Sequence, residues 1–289
     1  MVSRIAQLAL LVFSLSIACG SSPAPSSFAS AENSLTSSAP SFGSAANYEV
    51  IAGTRLTCTN SALAGSVAVW PGTPPDVVQT SCPISGSIEQ GSGAAQSAYN
   101  DFLSAYAAFA QTSCDQVLTT LDGQVLSPGV YCFDAAATST GSVLTLAGPS
   151  NGTWIFKIGT LGTGALTGTS FTVQMADGTP PPCNSVYWWV AEAVTMTDSN
   201  FVGTILAGAA ITLTRGTFTG DAFAKAAVTI TGSVVTACTG IGGSGGGGKG
   251  KCNQGVGNGP EGCDPGNSNN HNPTNDEGGG TPGNPGRKH

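Results

Sequence analysis

The sequence predicts a mostly β fold, a solenoid of short strands wound into a β-helix with one long α-helix packed alongside. Three observations predict it. The stretch from Val194 to Cys238 repeats itself every 17 residues, with VTMTDSNFVGTILAGAA from Val194, ITLTRGTFTGDAFAKAA from Ile211 and VTITGSVVTAC from Val228 (211 − 194 = 228 − 211 = 17). Within each unit apolar and polar residues alternate, the pattern of a half-buried strand. Elsewhere a single gap-free segment, Ala94 to Gln111, contains neither Gly nor Pro and spaces its aromatics as a helix does.

A strand-turn-strand unit that returns to the same register after a fixed count cannot bury its apolar side alone, so its copies stack. Val194, Met196, Ile211, Leu213, Val228 and Ile230 form the inward set. Thr195, Thr197, Thr212, Thr214, Thr229 and Thr231 form the outward set. Stacking places successive coils about 4.8 Å apart and same-face residues along a strand about 6.6 Å apart. The expected surface is a flat grid of threonines, two columns wide and three coils deep. Threonine is also a good strand former, so such ranks serve equally as plain solvated sheet.

Taken in order, residues 1–18 read as an export signal, with Arg4 followed by the mostly apolar run Ile5 to Ile17. Ala18-Cys19-Gly20 resembles a bacterial lipobox, in which Cys19 is acylated; ordinary secretion with cleavage nearby is the alternative. The chain is therefore expected outside the cytoplasm, as an outer-membrane or cell-surface lipoprotein or as a secreted protein. Residues 19–46 are rich in Ser, Ala and Pro and read as a tether, leaving a domain of residues 47–238. Strands are expected from Tyr48 to Gly53, from Gly65 to Trp70 and from Ile84 to Ile88, with Pro71, Pro74 and Pro75 ending the second. In the helix, Tyr99, Phe102, Tyr106 and Phe109 fall at spacings of three, four and three, a stripe read as a seam against the side of the solenoid. Strands resume at Val125-Leu126, Gly129–Phe133, Val143–Leu146, Trp154–Ile158, Phe171–Met175 and Val186–Val190, with a proline-rich loop from Asp177 to Cys183. Residues 239–289 are Gly, Asn and Pro with scattered charge, too poor in apolar groups to offset chain entropy, and read as a disordered tail.

Cysteine count agrees with export. Of nine cysteines, Cys19 is assigned to lipid and eight remain, an even set suited to an oxidising compartment. Proximity favours Cys58 with Cys82, Cys114 with Cys132 and Cys252 with Cys263, which leaves Cys183 for Cys238; the connectivity stays open at this point. Only 9% of residues are charged and the net charge is −7, so there is no basic patch for nucleic acid. The two histidines, His271 and His289, both sit in the tail, which excludes a Ser/His/Asp triad, a Cys/His pair or a His-rich metal site in the core. No cofactor and no metal are expected, and the chain is expected to act as a monomer.

Several blocks in one order carry a resemblance to a known family. Tyr48-Glu49-Val50-Ile51-Ala52-Gly53, Leu126–Phe133, Trp154–Gly159, Asn184–Val190 and Phe201–Ala207, with the long helix between the first two, resemble the DUF3494 ice-binding-like (antifreeze) family over Tyr48 to Cys238. The resemblance implies a discontinuous right-handed β-helix of triangular section flanked by one helix. It also implies adsorption to ice through a flat face, with ice and ordered water as the partner and no enzymatic activity. That face often carries Thr-Ala/Gly-x-Thr/Asn. The nearest matches here are Thr167-Gly168-Thr169-Ser170, Thr197-Asp198-Ser199-Asn200 and Thr214-Arg215-Gly216-Thr217, the last two with a charge in second position.

Combining the grid with these matches gives the expected ice-contacting set: Thr195, Thr197, Asn200, Thr212, Thr214, Thr217, Thr219, Thr229 and Thr231. The sequence leaves open which of the three faces is used. Two other classes remain beside this one. A non-enzymatic adhesin or envelope protein would use the same rigid rod. A carbohydrate-active β-helix enzyme would need clustered acids and bases in a groove, for which Asp198, Arg215 and Asp221 are the candidates.

Overall fold

Short apolar strands separated by tight corners pair coil upon coil, and every ladder among the described residues is parallel. The structure is a computed structural model describing residues 39–238. The expected signal peptide, the Cys19 acylation site, the first part of the tether, the Cys252–Cys263 pair and the tail lie outside the described residues.

The coils present three faces around one apolar interior. The helix-side face runs, in spatial order, Ile88–Gln90, Val67–Val69, Val50–Ala52, Ala222–Ala224, Thr204–Ala207, Val186–Val190, Trp154–Ile158, Gly129–Phe133 and Gln116–Val117. This order makes the solenoid discontinuous. The first described strand lies in the middle, and from it the chain winds out to one end, crosses to the other end and winds back. Val50–Ala52 therefore pairs with Val67–Val69 on one side and with Ala222–Ala224 on the other. The triangular, discontinuous β-helix implied by the resemblance is the architecture found.

The crossing is made by α1 (Gly93–Gln111), whose 19 residues span about 28 Å. Ser92 caps its start, accepting from Ala95 N at 3.1 Å. At its other end Lys157 Nζ donates to Ala110 O at 2.9 Å and Thr112 O at 2.7 Å, a cation placed on the negative end of the helix. In between, Tyr99 OH donates to Lys225 O and Tyr106 OH to Val190 O, so α1 climbs the stack coil by coil. The aromatic stripe forms the seam expected of it: Phe102, Tyr106 and Phe109 are buried against Tyr187, Trp189, Leu206 and Phe223. The central strands of this face are covered on both sides, which explains continuous apolar runs such as Val186–Val190, buried at all five positions.

Two details depart from the sequence reading. Packed structure begins before Tyr48. Phe42 is fully buried, with ring centroids 5.7 Å from Phe109 and 5.9 Å from both Tyr187 and Phe223. A 3-10 turn at Gly43–Asn47 follows, tied down by Ser44 N and Oγ donating to Asp101 Oδ2 at 2.7 and 2.6 Å. One aromatic in a Ser/Ala/Pro background has no periodicity to reveal it. In the segment from Ile84 to Ile88, Ile84 makes only an isolated bridge to Leu63, and the strand is Ile88–Gln90. Disulfides join Cys58 to Cys82, Cys114 to Cys132 and Cys183 to Cys238.

Phe42 is a bolt between helix and sheet, so Phe42→Ala is expected to cost about 3 kcal/mol. Urea unfolding should show a lower midpoint with an unchanged slope; an unchanged midpoint would show that the segment before Tyr48 is dispensable.

Candidate functional site

The second face carries the threonines, and its register extends them well past the three repeats. Thr138 pairs with Thr167, Thr167 with Thr195, Thr195 with Thr212, Thr212 with Thr229, and Thr229 with Thr57, which pairs with Val78. Two residues along, Thr140, Thr169, Thr197, Thr214, Thr231, Thr59 and Thr80 pair in the same sequence. The grid is two columns wide and seven coils deep, and thirteen of its fourteen positions are threonine. It spans roughly 29 Å along the stack and 7 Å along the strands.

The inward residues between these threonines hold the plane from behind. Val194, Met196, Ile211, Leu213, Val228 and Ile230 are all buried, as expected. So are Leu56, Cys58, Leu166 and Ala137 on the added coils. Gly168 makes room for the side chain of the next coil: a Cβ on it would stand 2.5 Å from Met196 Sδ, which would have to move. Threonines in the inner rows are half-buried by their neighbours, while Thr80, Thr138 and Thr140 in the end rows are exposed. Stiff at χ1 to begin with, these side chains have little freedom left to lose.

One border of the grid is a corner. The residue after each second-column threonine adopts a left-handed backbone: Gly141, Ser170, Asp198, Arg215, Gly232, Asn60 and Ser81 all have φ between 48° and 64°. There the chain turns onto the third face. Arg215 does project from the corner, where its Nε and Nη2 donate to Asp198 Oδ1 and Oδ2 at 2.6 and 2.7 Å. The guanidinium holds the Asp198 carboxyl below its ordinary range. The two charges in second position of the motif matches therefore pair with each other at the edge and leave the plane uncharged.

The opposite border is lined by Ala136, Ala165, Ala193, Ala210 and Ala227, followed by Arg55 and Asp76 on the two N-terminal coils, in a ladder of backbone hydrogen bonds. Arg55 Nη2 and Asp76 Oδ1 are 3.7 Å apart.

The turn divides the expected site set. Thr195, Thr197, Thr212, Thr214, Thr229 and Thr231 lie together on the threonine face. Asn200, Thr217 and Thr219 lie around the corner on the third face, where Thr217 Oγ1 donates to Asn200 Oδ1 at 2.9 Å. A Thr-x-x-Thr/Asn match here spans two faces, because its second residue is the corner. The third face is mixed: Val143, Thr172, Asn200, Thr217, Val234 and Ala62 form one of its ladders. The enzyme candidates do not share a groove, since Asp221 is 1% exposed while Asp198 and Arg215 bind each other on the surface.

Eight grid positions lie outside the repeat. Thr57, Thr59, Val78, Thr80, Thr138 and Thr140 escaped the sequence reading as surface residues, and Thr167 and Thr169 stood there only as a motif match, not as a row of the grid. Their spacing hides them, since the first-column threonines at 138, 167 and 195 are 29 and 28 residues apart rather than 17. A shared pentapeptide would have found them. LTCTN, VVQTS, ATSTG and LTGTS match VTMTD, ITLTR and VTITG, each a short strand whose fourth residue is threonine and whose fifth is the left-handed corner.

Comparison with known proteins agrees with this architecture. An ice-binding protein of Nostoc sp. (strain HG1) is 32% identical over 176 residues, which are 57% of this chain and 61% of the relative; the chain thus spans about three-fifths of that protein's length. The crystal structure of an ice-binding protein from the Antarctic ascomycete Antarctomyces psychrotrophicus is similar at 25% identity with a TM-score of 0.60, over 69% of this chain and 98% of that one. An ice-binding protein from an Antarctic bacterium of the Flavobacteriaceae gives 28% identity and a TM-score of 0.60, over 68% of this chain and 47% of that one. The profile of the Ice-binding-like family matches residues 41–236, from just before the buried Phe42 to the last strand, and the chain belongs to that family.

Proposed function

We propose that this protein adsorbs to ice through its threonine face. One observation carries the reading: a neutral, laterally packed lattice in which thirteen of fourteen outward positions over seven coils are threonine. Each threonine offers a hydroxyl that joins a water network and a methyl that limits competing water arrangements around it. The stacked coils repeat both groups at fixed intervals close to repeats of the ice lattice. Water ordered over such a surface merges with a crystal, and water-mediated contacts are nearly as favourable in enthalpy as direct ones. Many weak contacts must register at once, so a surface already ordered loses little entropy on docking. The work is done by adsorption, with no bond made or broken.

We also infer that the protein works outside the cytoplasm, held at the cell surface by an acylated Cys19. The three disulfides among the described residues suit an oxidising compartment and support export.

Thr212→Tyr combined with Thr214→Tyr, at the centre of the grid, should abolish crystal shaping and thermal hysteresis while the melting temperature stays within about 3 °C. Undiminished hysteresis would move the site to another face. Thr217→Tyr with Thr219→Tyr, around the corner, should leave hysteresis intact. Thr57→Tyr with Thr59→Tyr should reduce it, because rows contributed by the N-terminal coils belong to the same plane; full activity in that variant would confine the site to the coils of the internal repeat.

A further inference from the structure

Glu49 and Asp221 stand apart from the threonine face, and each is 1% exposed. They meet at the joint of the discontinuous solenoid. Val50 pairs with Ala222, so the residues just before them are neighbours across the two coils, and Ala222 N donates to Glu49 O at 2.8 Å. Glu49 Oε2 accepts from Gly65 N at 2.6 Å, while Oε1 is buried without a partner. Asp221 Oδ1 accepts from Cys238 N at 3.3 Å and Oδ2 from Thr204 Oγ1 at 3.4 Å. Packing leaves no slack, since a Cβ on Gly65 would stand 2.8 Å from Glu49 Cβ and 3.2 Å from Ala237 Cβ.

The groups facing the pair are the Ala64 and Gly65 backbone amides and Ser66 on one side, Thr204 and Tyr187 on the other, and Ala237 with the Cys183–Cys238 disulfide. Tyr187 is the one further titratable side chain there, pushed up to about 12 by burial and then by Asp221. The four cations among the described residues are engaged elsewhere. Arg55 faces Asp76, Arg215 binds Asp198, Lys157 holds the end of α1 and Lys225 lies 3.7 Å over the Tyr106 ring. Two buried carboxyls in contact with no cation do not both ionise without a large cost.

We propose that the neighbouring buried carboxyls of Glu49 and Asp221 keep a proton that holds closed the joint between the N-terminal coils and the last long coil, and that its loss as pH rises loosens the N-terminal coils. Those coils carry the Thr57–Thr59 and Val78–Thr80 rows, so the proton keeps the seven-row plane continuous. The proposal is independent of what binds that plane.

Burial raises Glu49 from its ordinary 4.5 to about 7 and lifts Asp221 well above its ordinary value, with the neighbouring Glu49 adding to the latter. For a carboxyl whose folded value lies above its unfolded one, the folded state holds the extra proton. Stability therefore falls as pH rises from about 4.5 through 7 and beyond. Asp122, Asp177 and Asp198 are shifted the other way and act below this window. No histidine lies among the described residues to act within it.

Thermal unfolding of the full chain between pH 5 and pH 9 tests this with the native protein, Glu49→Gln and Asp221→Asn. The native midpoint should fall by roughly 5 °C or more between pH 5 and pH 8, and by less than half as much in either variant. Parallel curves for native protein and variants overturn the proposal. If both variants fail to fold, hydrogen exchange on the native protein decides. From pH 6 to pH 8, corrected for intrinsic chemistry, amides of Val50–Ala52 and Ala222–Ala224 should lose about tenfold protection relative to those of Trp154–Ile158. Equal loss in both regions overturns it.

Discussion

The constraint on which everything else rests is the one-to-one parallel ladder between coils. A backbone that repeats its register fixes the spacing of every outward side chain in two directions at once. It also fixes what the corners must be. Between the threonine face and the third face the chain turns within one left-handed residue, and the ladder stacks seven such residues in a column. Glycine takes that conformation freely. Asp198 and Arg215 take it against the preference of residues with a Cβ, and their mutual two-point hydrogen bond offsets part of that strain. The flat lattice and the strained corner are thus two consequences of one pairing rule.

A ladder alone leaves the order of coils undetermined, and here that order places the greatest demand on the middle of the stack. Because the first described strand lies in the centre, it must be recognised by the last long coil, 172 residues later in sequence (222 − 50 = 172). Closing so long a loop is entropically costly, and the interactions that offset it are concentrated nearby. α1 spans the gap from outside, Phe42 locks helix to sheet, and the Cys183–Cys238 bridge ties down the last coil beside the joint. At that same place the structure buries two carboxyls with no compensating cation. Glu49 Oε1 there is the one buried side-chain oxygen among the described residues left without a hydrogen-bond partner.

Sequence periodicity revealed the fold because local and global order coincide in the last three coils. With equal coil lengths and strict alternation, Val194 to Ile230 could be assigned inward and outward residue by residue. Legibility failed where insertions changed the coil length. The Gly159–Gly164 corner and the proline loop before Cys183 put the earlier rows at Thr138 and Thr167 out of the 17-residue frame, while the strand pattern survives as a pentapeptide. It failed differently at Asn200, Thr217 and Thr219. Sequence distance along a strand looks the same whether or not a corner intervenes, and only the positive φ at Asp198 and Arg215 shows that these residues face another way. Phe42 was hidden for a third reason, since its partners Tyr187 and Phe223 are close only once the solenoid is wound.

The third face supplies an internal control for the functional reading. If threonine were present simply because it favours strands, both outer faces of the same solenoid should be similarly enriched, as they share coils, pairing geometry and solvent. They are not. Across the corner the ladders hold Val143, Gln174, Asn200, Val202, Val234 and Ala62 among their threonines. On the threonine face the same coils place threonine at every position but Val78, in a terminal row. The enrichment also crosses the joint, since Thr57 and Thr59 come from coils distant in sequence yet continue both columns without a break. Strand propensity acts on each segment separately and has no means of aligning segments from opposite ends of the chain. A requirement that the assembled plane be uniform does, and adsorption to a periodic solid imposes that requirement.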